Sequence, residues 1–259
     1  PPPASEYEGA TTVSGGDSQQ PVAANEPEEG ITPLGHDRGT YFYLSRSTGQ
    51  VEAIAAAQHT RGMLTHLASE TYYWQRTRFA GQKGIDWNAA ADDLRVRCRA
   101  VGIFDPDRLR GRGAWFDDGR SVLHLGDRLV VDGQETGLVV PGSRYVYEHS
   151  SRLGSDLDVT QAPLSSAEAK RLMDLCIEAP WEAPEHMGRL LAGWCVIAPV
   201  CGAMPWRPHI WVASEPGGGK SWLLDNIIKP TIGSVALEVQ SKTTEAGIRQ
   251  TLGCDARPV

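Results

Sequence analysis

The run His209-Ile210-Trp211-Val212-Ala213-Ser214-Glu215-Pro216-Gly217-Gly218-Gly219-Lys220-Ser221 constrains this chain more than any other feature. An apolar strand leads into a glycine-rich turn, and Lys-Ser then opens a helix through Trp222-Leu223-Leu224-Asp225-Asn226-Ile227-Ile228. That order builds a phosphate-binding P-loop. Consecutive glycines let backbone N–H groups converge on the phosphates, Lys220 reaches the β- and γ-phosphates, and the Ser221 hydroxyl suits Mg²⁺. The helix N-terminus behind the loop adds unpaired donors and a favourable dipole. The expected nucleotide-binding residues are therefore Ser214, Glu215, Pro216, Gly217, Gly218, Gly219, Lys220, Ser221 and Trp222, with Lys220 as the candidate catalytic residue. Ser214 stands where the G-x-x-x-x-G-K-[ST] pattern has its first glycine, and is read as a small-residue variant. The competing reading, a glycine-rich strand-turn-helix corner, leaves the Lys-Ser pair and its flanks unexplained.

Punctuation along the chain suggests an α/β protein: a P-loop NTPase core, truncated at its C-terminus, preceded by a small α+β domain and a helical linker. Residues 1–30 hold six acids, no Lys or Arg and few large apolar side chains, and are expected to be a disordered acidic linker. Of the 32 acidic residues 26 then remain against 25 basic ones, so the net charge of −7 belongs to the tail. A near-neutral body neither demands nor excludes nucleic acid.

The small domain spans 31–150. Tyr41-Phe42-Tyr43-Leu44 and Val51-Glu52-Ala53-Ile54 read as a hairpin, followed by a helix from about His59 to Ala68. A second helix runs from an Asp86 cap to a Gly102 stop. Short strands are expected at 114–116, 121–125, 128–131 and 137–140, with Asp-Gly turn signals among them. The helical connector, 151–204, crosses a polar bridge at 156–163. It continues with a Ser165/Glu168 capping box opening a helix to about Glu178, then a helix from Glu185 to Val200. The latter is apolar nearly all round and is expected to be buried between layers. Residues 205–259 supply the P-loop strand and helix, a strand at 235–239 and a helix from Thr244 to Leu252, the opening of a doubly wound core.

The chain starts Pro1-Pro2-Pro3 and ends as an apolar run begins, so a fragment of a longer protein is expected, with an acidic Mg²⁺-holding motif not placed and ATP turnover poor in this piece. Five dispersed cysteines without a C-x-x-C pair suggest reduced thiols and a cytoplasmic location. No apolar run is long enough to span a bilayer.

Between Arg95 and Arg112 lie six arginines and two aspartates. Arg108, Arg110 and Arg112, interleaved with Gly111 and Gly113, are candidates for contacts to a nucleic-acid backbone. The alternative is ion pairing with Asp105, Asp107, Asp117 and Asp118 that shapes a turn. Asp105-Pro106-Asp107 reads more simply as a turn than as a metal-binding pair, and the seven histidines show no ligand spacing. His124 fits a packed strand residue.

The order from Pro205-Trp206-Arg207-Pro208 through Gly217-Gly218-Gly219-Lys220-Ser221 to Thr244-Glu245-Ala246-Gly247-Ile248-Arg249-Gln250 resembles phage and prophage ATPases, in particular the superfamily-three-like helicase part of primase-helicases. Asp118-Gly119-Arg120-Ser121-Val122-Leu123-His124-Leu125-Gly126-Asp127 resembles the segment preceding the helicase core in that family. The resemblance implies an ATPase, a hydrolase acting on ATP with Mg²⁺. It further implies a primase-associated DNA helicase in the replication of a phage or mobile element, with single-stranded DNA as partner and a homo-oligomeric ring as assembly. The alternatives are a nucleotide-dependent scaffold without turnover and a P-loop kinase; some 180 ordered residues before the loop speak against the kinase.

Overall fold

A computed structural model describes residues 30–154, 161–240 and 243–259. The expected acidic linker thus lies, apart from Gly30, outside the described residues, as does most of the polar bridge.

Three antiparallel strands, β1 (Ile31–Asp37), β2 (Thr40–Ser45) and β3 (Val51–Ala55), form the first sheet in the order β1-β2-β3. The alternation in β2 buries Tyr41, Tyr43 and Ser45 on one face. α1 (Arg61–Leu67) follows, then a short hairpin of β4 (Ala80–Gly81) and β5 (Gly84–Ile85), then α2 (Trp87–Val101). Asp86 caps α2 by accepting from the Ala89 N–H, and Gly102 ends it, as the sequence suggests. Ala90, Ala91, Leu94 and Cys98 make up its inward face and join Tyr43, Ile54, Leu64, Leu67 and Trp74 in one core. Polar atoms in this core are satisfied: Trp74 Nε1 donates to Leu64 O at 2.9 Å and Ser45 Oγ to Leu67 O at 2.7 Å. Strand β1 was not among the expected elements. Pro33 and Gly35 interrupt its pattern, and both are tolerated because β1 is an edge strand with an irregular register between them.

The second unit is a meander of β7 (Gly113–Asp117), β8 (Arg120–His124), β9 (Leu129–Val131) and β10 (Gln134–Thr136), flanked by a parallel pair of β6 (Leu109–Arg110) and β11 (Val146–Tyr147). Asp118 and Asp132 open its two-residue turns with φ of 52° and 48°, the left-handed conformation that primed hairpin turns require. The Asp132-Gly133 turn puts Gln134 directly opposite Val131. The last strand therefore starts at 134 and does not occupy the expected 137–140.

His124 at the end of β8 is fully buried, and its Nδ1 accepts from the Gly126 N–H at 3.2 Å. Burial holds its imidazole down at about 4, against the opposing pull of the Asp255 carboxylate. Between the ordinary value of 6.5 and about 4 the unfolded chain binds a proton that the native state refuses. Stability is thus present above this window and falls as pH drops through it, by about 3 kcal/mol in all. Urea unfolding at several pH values should show this slope in the wild type and lose it in His124→Asn, whose side-chain oxygen can replace Nδ1 as acceptor.

The helical part begins with α3 (Ser166–Ile177), opened by the expected reciprocal Ser165/Glu168 box. α4 (Pro184–Ile197) stops earlier than expected, because the ring of Pro199 opposes a further α-turn; a 3₁₀ segment, Ala198–Ala203, continues the chain. α4 is also not buried all round. Leu191, Ala192 and Cys195 face the second core, whereas Leu190 and Val196 are largely exposed. After the glycine-rich loop, α5 (Lys220–Leu223) passes through one wide π-turn, Leu224–Ile228, into α6 (Lys229–Ile232). Pro230 accounts for the widening: it has no N–H to offer and its ring crowds the preceding turn. α7 (Glu245–Leu252) carries the Thr244 cap.

The strands expected at 209–213 and 235–239 do not form among the described residues. The first keeps the side-chain alternation of a strand: Ile210 and Val212 pack on the helical core while Trp211 is 92% exposed. Among the described residues it pairs with no strand. The second makes one ladder-like bond, from Leu237 N to Pro258 O at 2.8 Å.

Candidate functional site

Residues 214–222 fold into a tight loop at the start of α5. Gly218 N donates to Glu215 O at 3.0 Å, closing a turn with Pro216 and Gly217 at its centre. Pro216 supplies the fixed φ that suits the first central position, and Gly217, at φ 82°, supplies the positive φ of the second. Gly219 takes the left-handed conformation at φ 86° and hands the chain into the helix, where Leu223 N bonds back to Gly219 O at 2.9 Å. A side chain on Gly218 would sit 2.6 Å from Ser214 Oγ, so only glycine fits the inner side of the loop. The first helical turn leaves N–H groups without intrahelical acceptors.

The Lys220 ammonium turns back over the loop. It donates to Ser214 O at 2.5 Å, Ser214 Oγ at 2.9 Å and Glu215 O at 3.3 Å. Glu215, Pro216 and Ser221 are exposed, and Trp222 is about half exposed on the first helical turn. The nine residues singled out in the sequence thus form one loop and first helical turn at the surface, with the Lys220 ammonium folded over it.

The structure adds a wall that the motif alone does not show. The turn between α3 and α4 places Pro180 Cγ 3.8 Å from where a Gly219 side chain would begin. Ala179, Trp181 and Leu223 share one apolar cluster, so this turn supports the loop from behind. Only tertiary packing joins segments this far apart.

In the arginine-rich segment Arg110 and Arg112 are turned inward, whereas Arg97 and Arg99 are exposed. Arg110 forms an ion pair with Asp117 at 3.1 Å, and its guanidinium lies between the rings of Trp115 and Tyr145, at 4.4 and 4.0 Å from their centroids. Arg112 forms an ion pair with Asp255 at 2.7 Å. Arg108 Nε donates to Arg144 O at 2.5 Å. The geometry matches the ion-pairing alternative at Arg110, whereas Arg112 pairs with Asp255, far along the chain and outside that alternative; both guanidiniums are thereby turned to internal acceptors. Asp105 caps the short helix at Pro106–Arg108 by accepting from Asp107 N at 3.0 Å. Among the described residues no group of three or more His, Cys, Asp or Glu side chains is placed to hold a metal ion.

A second feature escaped the sequence. The segment after α7 threads between the helical unit and the meander, with Gly111 N donating to Cys254 O and Ala256 N to Arg112 O. Its passage is so close that a side chain on Gly113 would collide with Ala256 O. Asp255 holds Arg112, and Arg257 donates to Val235 O at 2.9 Å and Ala236 O at 2.8 Å, just beyond α6.

Comparison with protein-family models, curated proteins and solved structures finds no match to this chain. No helix among the described residues is long and apolar enough to cross a membrane.

Proposed function

We propose that this chain binds ATP with Mg²⁺ through residues 214–222 and belongs to a P-loop ATPase of the primase-helicase type, a cytoplasmic motor acting on single-stranded DNA as a homo-oligomer. One observation carries the reading. The loop is a glycine-rich turn wound so tightly that a side chain at Gly218 would collide with Ser214, with the Lys220 ammonium bent back over it and a helix start beneath it.

In this reading the N–H groups of Gly217, Gly219, Lys220 and Ser221 orient the phosphates, that of Gly218 being held by Glu215 O, and Lys220 balances the charge that grows on them as the terminal bond breaks. Ser221 is the residue that would hold Mg²⁺, which supplies further charge neutralisation when bound. The DNA and ring parts rest on the resemblance of the sequence alone. Arg110 and Arg112 have no part in DNA contact in this reading, because Asp117 and Asp255 hold them.

The test is the ATPase rate of the full-length protein with and without single-stranded DNA. Strong stimulation by DNA is the expected result. ATP binding without stimulated turnover would shift the reading to a nucleotide-dependent scaffold, and phosphoryl transfer to a small molecule would shift it to a kinase.

A further inference from the structure

We infer that Ser214 is a latch on Lys220, a positioning residue that sets how readily the lysine is released to a polyphosphate; the inference rests on the nucleotide-binding reading of the loop. An ammonium group has three N–H donors. Here three acceptors surround it, and Ser214 provides two of them, its carbonyl at 2.5 Å and its hydroxyl at 2.9 Å, with Glu215 O the third at 3.3 Å. No donor is left over for a phosphate oxygen, so an incoming nucleotide must first break part of this set.

The hydroxyl is held in place for the role. Ser214 Oγ donates its own proton to Glu215 O at 3.1 Å, which turns its lone pairs toward Lys220. Its Cβ and Oγ lie 2.8 and 2.6 Å from the point where a Gly218 side chain would begin, so they fill the inside of the loop. Glycine, the usual residue at the first position of the motif, offers a carbonyl and no hydroxyl. Serine therefore adds one charge-assisted acceptor that a glycine loop lacks.

The consequence is a pre-equilibrium. Apparent affinity is the intrinsic affinity scaled by the fraction of molecules whose lysine is unlatched. Removing one acceptor from an exposed ammonium raises that fraction modestly, and nucleotide binding should tighten by about 3- to 10-fold. Because the latch exists only in the free protein, the gain should lie in the association rate, with dissociation unchanged. A purely structural role for the hydroxyl gives the opposite: a looser loop, faster dissociation and weaker binding.

Stopped-flow binding of a fluorescent ATP analogue with Mg²⁺ to the full chain tests this, using wild type, Ser214→Ala, Ser214→Gly and Lys220→Ala. The expected result is faster association for both Ser214 variants, an unchanged dissociation rate, and no binding by Lys220→Ala. Unchanged or slower association in Ser214→Ala and Ser214→Gly, with wild type binding and Lys220→Ala silent, overturns the latch and leaves the nucleotide site standing. Equal binding by wild type and Lys220→Ala, or none by wild type, overturns the nucleotide reading and the latch with it. Thermal melts of the free proteins should coincide, since Ser214 lies on the exposed loop; a variant that melts early is set aside in favour of the other.

Discussion

Replacing Lys220 by alanine is expected to remove measurable ATP binding while leaving the fold intact. The ammonium is exposed and, among the described residues, bonds to its own loop at Ser214 and Glu215. Its loss therefore costs the folded state little, as for other exposed charges. Facing a triphosphate, the same group makes charge-assisted bonds to anionic oxygens, so the loss in affinity should be about a hundredfold or more. Thermal unfolding separates the two effects. Wild type should melt higher with saturating Mg²⁺ and ATP, because a ligand that binds only the native state stabilises it by mass action. Lys220→Ala should melt where free wild type does and show no shift with nucleotide. Lys220→Arg is not a rescue, since a planar fork cannot reproduce a compact ammonium inside so tight a loop. A full ligand-induced shift in Lys220→Ala would remove the basis for a nucleotide site here.

The largest loss of stability should come from a residue outside the glycine-rich loop, Asp255. Its carboxylate is only 7% exposed and accepts from Arg112 N at 2.7 Å, Arg112 Nε at 3.0 Å and Arg112 Nη2 at 2.7 Å, with Arg257 Nη1 at 3.8 Å. The two guanidiniums are 19% and 15% exposed. Burial, and then the neighbouring Arg112 charge, push the Arg257 guanidinium below its ordinary range. Asp255→Ala leaves two like charges facing each other without their shared counter-ion and orphans a backbone N–H. Breaking a buried ionic cluster from one side costs about 3–5 kcal/mol. Asp255→Asn, which keeps an acceptor for Arg112 N, should lose less. Urea denaturation of the three proteins orders them; an Asp255→Ala midpoint equal to wild type would mean that the cluster holds nothing together.

Much of the local structure was legible because its causes are local. Asp86 and Gly102 bound α2, Ser165 and Glu168 open α3, and the Asp-Gly pairs make the turns of the meander. Each works through bonds or backbone torsions within a few residues. β1 was hidden by Pro33 and Gly35, which disfavour an interior strand, yet an edge position tolerates both. The residues at 209–213 carry the alternation of a strand, but a strand also needs partners that no periodicity records. α4 shows the same limit in reverse: its composition asks for burial on all sides, and the packing supplies it on one.

The candidate site divides along the same line. Sequence alone was enough to specify the loop: Pro216 and Gly217 for the turn, Gly218 for the close inner face, and Lys220 at the helix start, all acting through short-range backbone chemistry. The rest came from the folded arrangement in space. It set Pro180 behind Gly219, closed Ser214 onto Lys220, and committed Arg110 and Arg112 to Asp117 and Asp255. A run of arginines has the same composition whether it faces solvent or a carboxylate, and only the positions of distant acids in three dimensions tell those cases apart.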